Sequence, residues 1–178
     1  FVGNSLPVRH LDSFAAPSEK TLHVHANRGA SGIDGTVSSA LGVAAAANAP
    51  CALIVGDLAL LHDLGGLLAA RRHALKLAIV VLNNDGGAIF RRLPIAAHGA
   101  PFEELFITPH GLSFAPAAEL FGLGYARAED RDAFERAFAG ALAAPGTTLV
   151  EVPFDNAGTQ RRSDALRAGI DAALRRKL

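Results

Sequence analysis

Oxygen-bearing residues follow two apolar stretches of this chain, and their positions suggest a site for a hard metal ion. Residues 51–55 are apolar and are followed closely by Asp57, and the apolar residues 77–82 are followed closely by Asn84. A carboxylate, an amide oxygen and a carbonyl of the glycine-containing loop after Asn84 are the kinds of donor that Mg²⁺ prefers. Three such donors leave about half of an octahedron open for water or phosphate oxygens.

These two apolar runs and the stretch between them have the pattern of a strand–helix–strand unit. Residues 60–72 read as helical, and both runs are apolar throughout, as in a parallel sheet covered on both faces. Such crossovers are right-handed, and ligands of open α/β sheets bind at the carboxyl ends of the strands. The pattern therefore predicts that Asp57 and Asn84 meet in one crevice. Taken separately, Asp57 could instead cap the next helix, and residues 83–86 could form an ordinary turn.

Strands and helices alternate along the rest of the chain. This order predicts one α/β domain over residues 1–178, with three layers and a doubly wound, mostly parallel sheet. The predicted strands are residues 22–25, 51–55, 77–82, 123–126 and 147–152. The other predicted helices are residues 3–14, a helix ending near 47, and residues 114–121, 130–143 and 159–178. Residues 98–110 contain proline and glycine, and we expect a mobile segment that could close over the site.

Composition argues against several classes of protein. Half of the 178 residues are apolar, but no apolar run reaches the ~18 residues of a membrane span, and the start lacks a secretory pattern. The formal net charge is zero, which gives no electrostatic reason to bind nucleic acid or anionic lipid. A single cysteine, Cys51, fits a reducing compartment such as the cytoplasm. The absence of methionine suggests a fragment or processed form of a longer protein.

Residues 27–35 form the second informative stretch. They contain three glycines between a predicted strand and a predicted helix, a typical anion-binding turn in which free N–H groups and the helix dipole face the anion. Arg28 suits bidentate capture of a carboxylate or phosphate, and Ser31 lies in the same turn. The alternative is a tight turn that uses glycine for its conformational freedom. Ile33 either begins the buried face of the helix or supports something flat and apolar.

The amino-terminal helix offers a further polar group. Asn4 or Ser5 could cap it and help to bind an anion, and Arg9 lies four residues after Ser5 on the same face. Taken alone, Arg9 is more simply a solvated surface residue. The seven histidines show no metal-ligand spacing beyond His23 and His25 on a predicted strand, so we expect neither a zinc site nor a catalytic histidine.

In chain order, these motifs resemble the carboxy-terminal domain of the MenD family, the 2-succinyl-5-enolpyruvyl-6-hydroxy-3-cyclohexene-1-carboxylate synthases. The resemblance covers most of the chain, and residues 27–35 are its most specific part. One departure is Leu58, where thiamine-diphosphate enzymes usually have glycine; two others are Ala59, in place of a hydroxyl residue, and Gly65, in place of asparagine. The matching motifs are Gly3-Asn4-Ser5 with Arg9, Asn27–Gly35, Gly56-Asp57-Leu58 with His62-Asp63-Leu64, and Asn83–Phe90.

The resemblance implies the thiamine-diphosphate-binding fold and specific roles for its residues. Thiamine diphosphate would be bound through Mg²⁺, with Mn²⁺ as an alternative, and the metal ligands would be Asp57, Asn84 and the Gly86 carbonyl. The implied cofactor-binding residues are Asn4, Ser5, Ser31, Ile33, Gly56, Asp57, Asn84 and Gly86. The implied substrate-binding residues are Arg9, Arg28, Ile89, Phe90 and Leu93.

The implied reaction is a decarboxylating carboligation in menaquinone biosynthesis. A succinyl-semialdehyde unit from 2-oxoglutarate would be added to isochorismate by a cytoplasmic transferase. Both substrates are dicarboxylic acids, which suits two arginines. The resemblance places no catalytic residue in this chain, because the activating glutamate comes from a separate amino-terminal domain, usually across a subunit interface. It therefore implies a homodimer or homotetramer, and a lone carboxy-terminal domain that is inactive.

Two other functions fit parts of the pattern. One is a different thiamine-diphosphate decarboxylase or carboligase, such as an acetolactate-synthase-like enzyme, although users of monocarboxylates need fewer cations than Arg9 and Arg28 provide. The other is a non-catalytic nucleotide- or phosphate-binding module on the same fold, which would bind its ligand without a metal.

Overall fold

A four-stranded parallel sheet forms the centre of the computed structural model, which describes residues 1–29 and 31–176. Ala30 of the predicted anion-binding turn and residues 177–178 of the predicted last helix lie outside the described residues. The strands are β1 (Ala52–Gly56), β2 (Ala78–Asn83), β3 (Gly124–Arg127) and β4 (Thr148–Pro153), arranged in the order β1-β2-β4-β3. All three pairings are parallel.

Eight α-helices surround this sheet in the described residues. They are α1 (Leu6–Phe14), α2 (Thr36–Ala46), α3 (Asp57–His62), α4 (Leu67–Arg72), α5 (Ala100–Phe102), α6 (Ala115–Phe121), α7 (Arg131–Ala143) and α8 (Asn156–Arg175). Short 3₁₀ turns cover Leu64–Gly66, Ala88–Arg92 and Pro94–His98, and a π-helical turn covers Glu103–Ile107. Within the part of the chain that the structure describes, no helix is long and apolar enough to cross a membrane.

Both faces of the sheet are covered, as the uniformly apolar strands predicted. On one face, Ile79 of β2 packs in a cluster with side chains of α2, α3, α4 and α6, including the fully buried Leu41 and Leu60. On the other face, Ala78 of β2 and Val150 of β4 pack against α7. Side chains alternate between the faces of a strand, so each central strand contributes to both clusters. The predicted three-layer, doubly wound α/β fold is confirmed.

The prediction of a strand over residues 22–25 is wrong. Leu22 and Val24 are 71% and 59% exposed. Among the residues that the structure describes, the only backbone hydrogen bond from this stretch to the sheet edge is at the His25 carbonyl, which accepts the Val2 N–H at 2.9 Å. Val2 itself forms the parallel bridge to Ile54 of β1. The amino-terminal residues thus occupy the edge position beside β1, and residues 22–25 lie outside it with neither face buried.

The predicted helix over residues 60–72 is interrupted. Helix α3 ends at His62, a 3₁₀ turn covers Leu64–Gly66, and α4 begins at Leu67. The carboxylate of Asp63, at the break, accepts the backbone N–H and the hydroxyl of Ser38 at 2.6 and 2.9 Å. Asp63 therefore satisfies an N–H in the first turn of α2, where no intrahelical acceptor exists.

A buried carboxylate, Glu151 of β4, links the strands near their carboxyl ends. Its side chain has no exposed surface, and both of its oxygens accept hydrogen bonds. The donors are the Asn83 amide (2.8 Å), the Tyr125 hydroxyl (2.7 Å), the Phe114 N–H (2.9 Å), the Ser113 hydroxyl (3.2 Å) and the Arg127 guanidinium (3.5 Å). Burial raises the pKa of Glu151, but the hydrogen bonds from Asn83, Phe114, Tyr125 and Ser113, that of Asn83 first, outweigh burial and hold the pKa below its ordinary value.

We expect Glu151→Gln to lower the free energy of unfolding by roughly 2–4 kcal/mol, because an amide NH₂ would face donors that now meet a carboxylate oxygen. Urea unfolding followed by circular dichroism measures the change. Glu129→Gln is the matched control, since Glu129 pairs with the same arginine, Arg127, but is 71% exposed. Equal effects of the two substitutions would contradict the role assigned to Glu151.

The same carboxylate predicts a pH dependence of stability. Because the folded-state pKa of Glu151 lies below its unfolded value, its contribution is complete above the unfolded pKa of about 4.5 and is lost as the pH falls through the folded pKa. The stability difference between the native protein and Glu151→Gln should therefore be constant from pH 6 to 7 and shrink below about pH 4. Urea unfolding at several pH values tests this, and a difference that grows on acidification would contradict it.

Candidate cofactor and metal site

A cavity of about 250 Å³ lies at the carboxyl ends of β1 and β2. The register of the two strands pairs Gly56 with Leu82, so the residues that follow each strand face the same space. Its walls come from both strand ends, the amino-terminal residues, the turn before α2 and the first residues of α8. The residues singled out by the sequence that line it are Asn4, Ser5, Ile33, Gly56, Asp57, Asn84, Gly86, Ile89 and Phe90.

Asp57 is the central polar group of this cavity. It is the first residue of α3 and is 2% exposed. One carboxylate oxygen, Oδ1, accepts the N–H of the next residue, Leu58, at 2.7 Å; the N-cap of α3 is Gly56, so Asp57 does not cap this helix. The other, Oδ2, accepts the N–H groups of Asn84 at 3.2 Å and Gly86 at 2.9 Å. The two stretches that the sequence predicted to meet are thus joined directly through this carboxylate.

The loop after β2 depends on the absence of a side chain at Gly86. Gly86 has φ +119°, and a Cβ built there would lie 2.0 Å from the carbonyl oxygen of Ile107. The N–H of the next residue, Gly87, donates to that same carbonyl at 2.7 Å. Only a residue without a side chain allows this close approach, so the sequence of the loop and the course of residues 106–108 are matched.

Asp85 ties the loop to residues 110–111. Its Oδ1 accepts the backbone N–H groups of Gly111 at 2.7 Å and His110 at 2.9 Å. The Gly111 hydrogen bond is the main reason that the pKa of the Asp85 carboxyl lies below its ordinary value; partial burial opposes it, and the His110 N–H and ring lower the pKa further. Within residues 98–110, which we expect to be a mobile segment, helical turns cover Ala100–Phe102 and Glu103–Ile107, and Phe102 and Ile107 are buried.

The donor set at the cavity fits a hard divalent cation. Asp57 contributes a buried carboxylate, and the Asn84 side chain lines the cavity without a hydrogen-bond partner among residues 1–29 and 31–176. Gly86 lines the same space. In the described residues, no three His, Cys, Asp or Glu side chains form a group that could hold a metal, so the amide and carbonyl oxygens are needed to complete a site.

The amino-terminal wall is braced by the two predicted substrate arginines. Asn4, which is 4% exposed, donates to the Gly32 carbonyl at 2.6 Å and accepts the Arg28 guanidinium at 2.7 Å. Arg9 donates to the Ser5 carbonyl at 2.7 Å. Both arginines are exposed and neither lines the cavity, so they lie behind the residues that do.

The predicted side-chain cap of α1 is absent. Ser5 occupies the N-cap position, but its φ is 71° and its side chain makes no capping hydrogen bond. Asn4 is buried in the bonds to the 27–35 turn and is therefore not a cap either. Instead, Ser5 lines the cavity.

The other predicted site residues differ in placement. Ile89 and Phe90, in the 3₁₀ turn after the loop, line the cavity, and Phe90 meets Phe106 edge to face at 5.7 Å. Leu93 is 49% exposed and Ser31 is exposed, with φ 57°, and neither lines the cavity.

Sequence reasoning missed several residues of this site. His110, which we treated as an ordinary histidine, places its Nε2 3.2 Å from Asp57 Oδ2. His10 and the α8 residues Asn156 and Thr159 also line the cavity. No periodicity marks His110, since 52 residues, including the whole of β2, separate it from Asp57 along the chain; only the three-dimensional course of the chain brings them together.

Comparison with known proteins places this geometry in a family. Residues 10–152 match the family model "Thiamine pyrophosphate enzyme, C-terminal TPP binding domain". Among similar structures, the thiamine diphosphate-dependent 4-hydroxybenzoylformate decarboxylase of Rhodococcus jostii RHA1 has a TM-score of 0.59 and 25% identity, over 66% of this chain and 22% of that one. Benzoylformate decarboxylase from Polynucleobacter necessarius has a TM-score of 0.57 and 21% identity, over 68% of this chain and 23% of that one, and supports the fold alone.

Curated relatives confirm the resemblance that the motifs suggested. The chain is 51% identical to the 2-succinyl-5-enolpyruvyl-6-hydroxy-3-cyclohexene-1-carboxylate synthase of Roseiflexus sp. (strain RS-1), over 97% of this chain and 30% of that protein. It is 44% identical to the synthase of the same name from Bacillus velezensis, over 96% of this chain and 30% of that protein. The chain thus spans less than a third of the length of these relatives. It belongs to the family of C-terminal TPP binding domains of thiamine pyrophosphate enzymes.

Proposed function

We propose that this chain is the carboxy-terminal, diphosphate-binding domain of a 2-succinyl-5-enolpyruvyl-6-hydroxy-3-cyclohexene-1-carboxylate synthase. Such an enzyme joins a succinyl-semialdehyde unit from 2-oxoglutarate to isochorismate. The observation that carries the proposal is that Asp57, Asn84 and Gly86 surround one cavity in a chain 51% identical to such a synthase. Thiamine diphosphate, when bound, supplies the electron sink for the decarboxylation.

The metal ligands in this proposal are the Asp57 carboxylate, the Asn84 amide oxygen and the Gly86 carbonyl. They would hold Mg²⁺, or Mn²⁺ in its place, and leave coordination positions for diphosphate oxygens. Asn4, Ser5 and Gly56, which line the cavity, would contact the cofactor, and Ser31, which lies outside the cavity wall in this structure, would have to turn inward to reach the diphosphate. Ile33, half-buried in the cavity wall, would support the cofactor from its apolar side.

Substrate binding would use the amino-terminal arginines and the apolar turn after the metal loop. Arg9 and Arg28 each use one N–H group to brace the cavity wall, and a guanidinium has five such donors, so each can also bind a carboxylate. Ile89 and Phe90 would form the apolar wall beside the substrate, with Leu93 closing its outer edge. These residues would bind and orient the substrate, and they would exclude water from the reacting groups.

The complete active site would need a second domain. We propose that the activating glutamate comes from an amino-terminal domain, across the interface of a homodimer or homotetramer in the cytoplasm. This chain spans 30% or less of the Roseiflexus and Halobacterium relatives. The rest of their length is sufficient for such a domain.

Removing the central carboxylate tests the metal site. We expect Asp57→Ala, and likewise Asn84→Ala, to weaken Mg²⁺-dependent binding of thiamine diphosphate by at least about 100-fold, because loss of a direct ligand should exceed the 10- to 100-fold effects of outer-shell changes. Calorimetric titration of the whole encoded protein, with and without Mg²⁺, measures this. Asp132→Ala, at an exposed position of α7, is the control. Binding that needs no metal and survives Asp57→Ala would instead support a non-catalytic phosphate-binding module.

Removing an arginine tests the substrate assignment. We expect Arg28→Ala to raise the KM for 2-oxoglutarate about 10- to 100-fold, the equivalent of one charge-assisted hydrogen-bonded pair, while the Kd for thiamine diphosphate changes little. Steady-state kinetics and cofactor titration of the same whole protein separate the two effects. Arg28→Lys keeps the charge but loses the bidentate fork, so it should fall in between. An unchanged KM in Arg28→Ala, or a preference for pyruvate over 2-oxoglutarate in the native protein, would count against the proposal.

A further inference from the structure

His110 lies against the carboxylate at the centre of the site. Its Nε2 is 3.2 Å from Asp57 Oδ2, and its side chain is only 11% exposed. His110 belongs to residues 106–114, a segment that contains none of the proposed metal ligands. The ring therefore sits beside the predicted metal ligand and contacts the same carboxylate oxygen as the N–H groups of Asn84 and Gly86.

The hydrogen bonds of the ring fix its tautomer. The backbone N–H of Leu112 donates to Nδ1 of His110 at 2.9 Å. A nitrogen that accepts a hydrogen bond carries no proton, so in the neutral imidazole the proton is on Nε2. Nε2–H then donates to Asp57 Oδ2.

This contact leaves the two oxygens of Asp57 in different states. Oδ2 accepts three N–H groups, from Asn84, Gly86 and His110. Oδ1 accepts only the N–H of Leu58. A carboxylate oxygen offers about two lone-pair positions, so Oδ2 is saturated and Oδ1 retains capacity for a cation.

The position of the His110 ring is itself firmly determined. The backbone N–H groups of His110 and Gly111 both bind Asp85, and the Leu112 carbonyl accepts the Asn83 amide at 3.0 Å. The ring also lies edge-on to Phe114, with centroids 6.2 Å apart. The side chain is thus anchored on both sides of its contact with Asp57.

We propose that His110 is a positioning residue for the metal-binding carboxylate. As the Nε2–H tautomer, it holds Asp57 in the rotamer in which Oδ2 meets the N–H groups of Asn84 and Gly86 and Oδ1 keeps its capacity for a cation. The inference rests on the proposed function, because it takes Asp57 to be a metal ligand. Residues that hydrogen-bond to metal ligands typically change metal affinity 10- to 100-fold when removed.

Two substitutions separate the contact with Asp57 from the contact with Leu112. The amide of His110→Asn can accept the Leu112 N–H but is too short to reach Asp57. The longer amide of His110→Gln can place an N–H donor near the present Nε2. His110→Leu removes both contacts at similar volume and serves as a second test if the Asn variant does not fold. His98→Leu, at an exposed histidine, is the control.

The measurement is Mn²⁺ binding to the whole encoded protein with saturating thiamine diphosphate, followed by the loss of the free-Mn²⁺ electron paramagnetic resonance signal. We expect His110→Asn and His110→Leu to weaken Mn²⁺ binding about 10- to 100-fold, and His110→Gln to stay within about threefold of the native protein. Thermal unfolding without metal verifies that each variant is folded.

The outcomes distinguish this inference from the function on which it rests. Native affinity in a folded His110→Asn or His110→Leu variant would overturn the role of His110 while leaving the metal site intact. Equal weakening in the Asn, Leu and Gln variants would also overturn it, because shape rather than the donor would then matter. Failure of the native protein to bind Mn²⁺ with thiamine diphosphate would overturn the proposed function and this inference together.

Discussion

The site depends on a charge that the fold has buried. Glu151 lies within β4 with no exposed surface, and a carboxylate there is tolerated only if both oxygens are fully hydrogen-bonded. Its donors come from the end of β2, from β3 and from residues 113–114. The hydrogen bonds to this one carboxylate therefore fix the positions of β2, β3, β4 and residues 113–114 relative to each other. They do so at the carboxyl ends of the strands, where the cavity lies.

A second buried carboxylate, Asp57, holds backbone in the same way at the cavity itself. Asp57 collects the N–H groups of the loop after β2, and Asn83, at the start of that loop, donates to both Glu151 and the Leu112 carbonyl. The loop is thus held from the core side by Glu151 and from the cavity side by Asp57. Because the loop is held from two sides, its oxygen atoms are in place before a ligand binds. A preorganised site of this kind avoids the free-energy cost of rearranging the loop on binding.

The elements that depend on local sequence pattern could be predicted. Apolar runs indicated β1 and β2, and the polar residues after them could be assigned to one crevice because parallel strands end at the same edge of the sheet. The strand over residues 22–25 failed because alternation needs a buried face, and the sheet edge beside β1 was already taken by Val2. His110 and Glu151 could not be assigned, because each acquires its role from donors and acceptors more than 20 residues away.

Under the proposed function, each of the two arginines would both brace the cavity wall and bind substrate. Arg28 and Arg9 hold Asn4 and the Ser5 carbonyl, so their side chains have already lost part of their rotamer freedom. Immobilising a long side chain on binding costs roughly 0.5–1.5 kcal/mol, and here the internal hydrogen bond meets part of that cost in advance. A planar guanidinium keeps its remaining N–H groups in a fixed fork, whereas a lysine has three donors on a single nitrogen and no fork for bidentate binding. This is a physical reason for arginine, rather than lysine, at both positions beside the cavity.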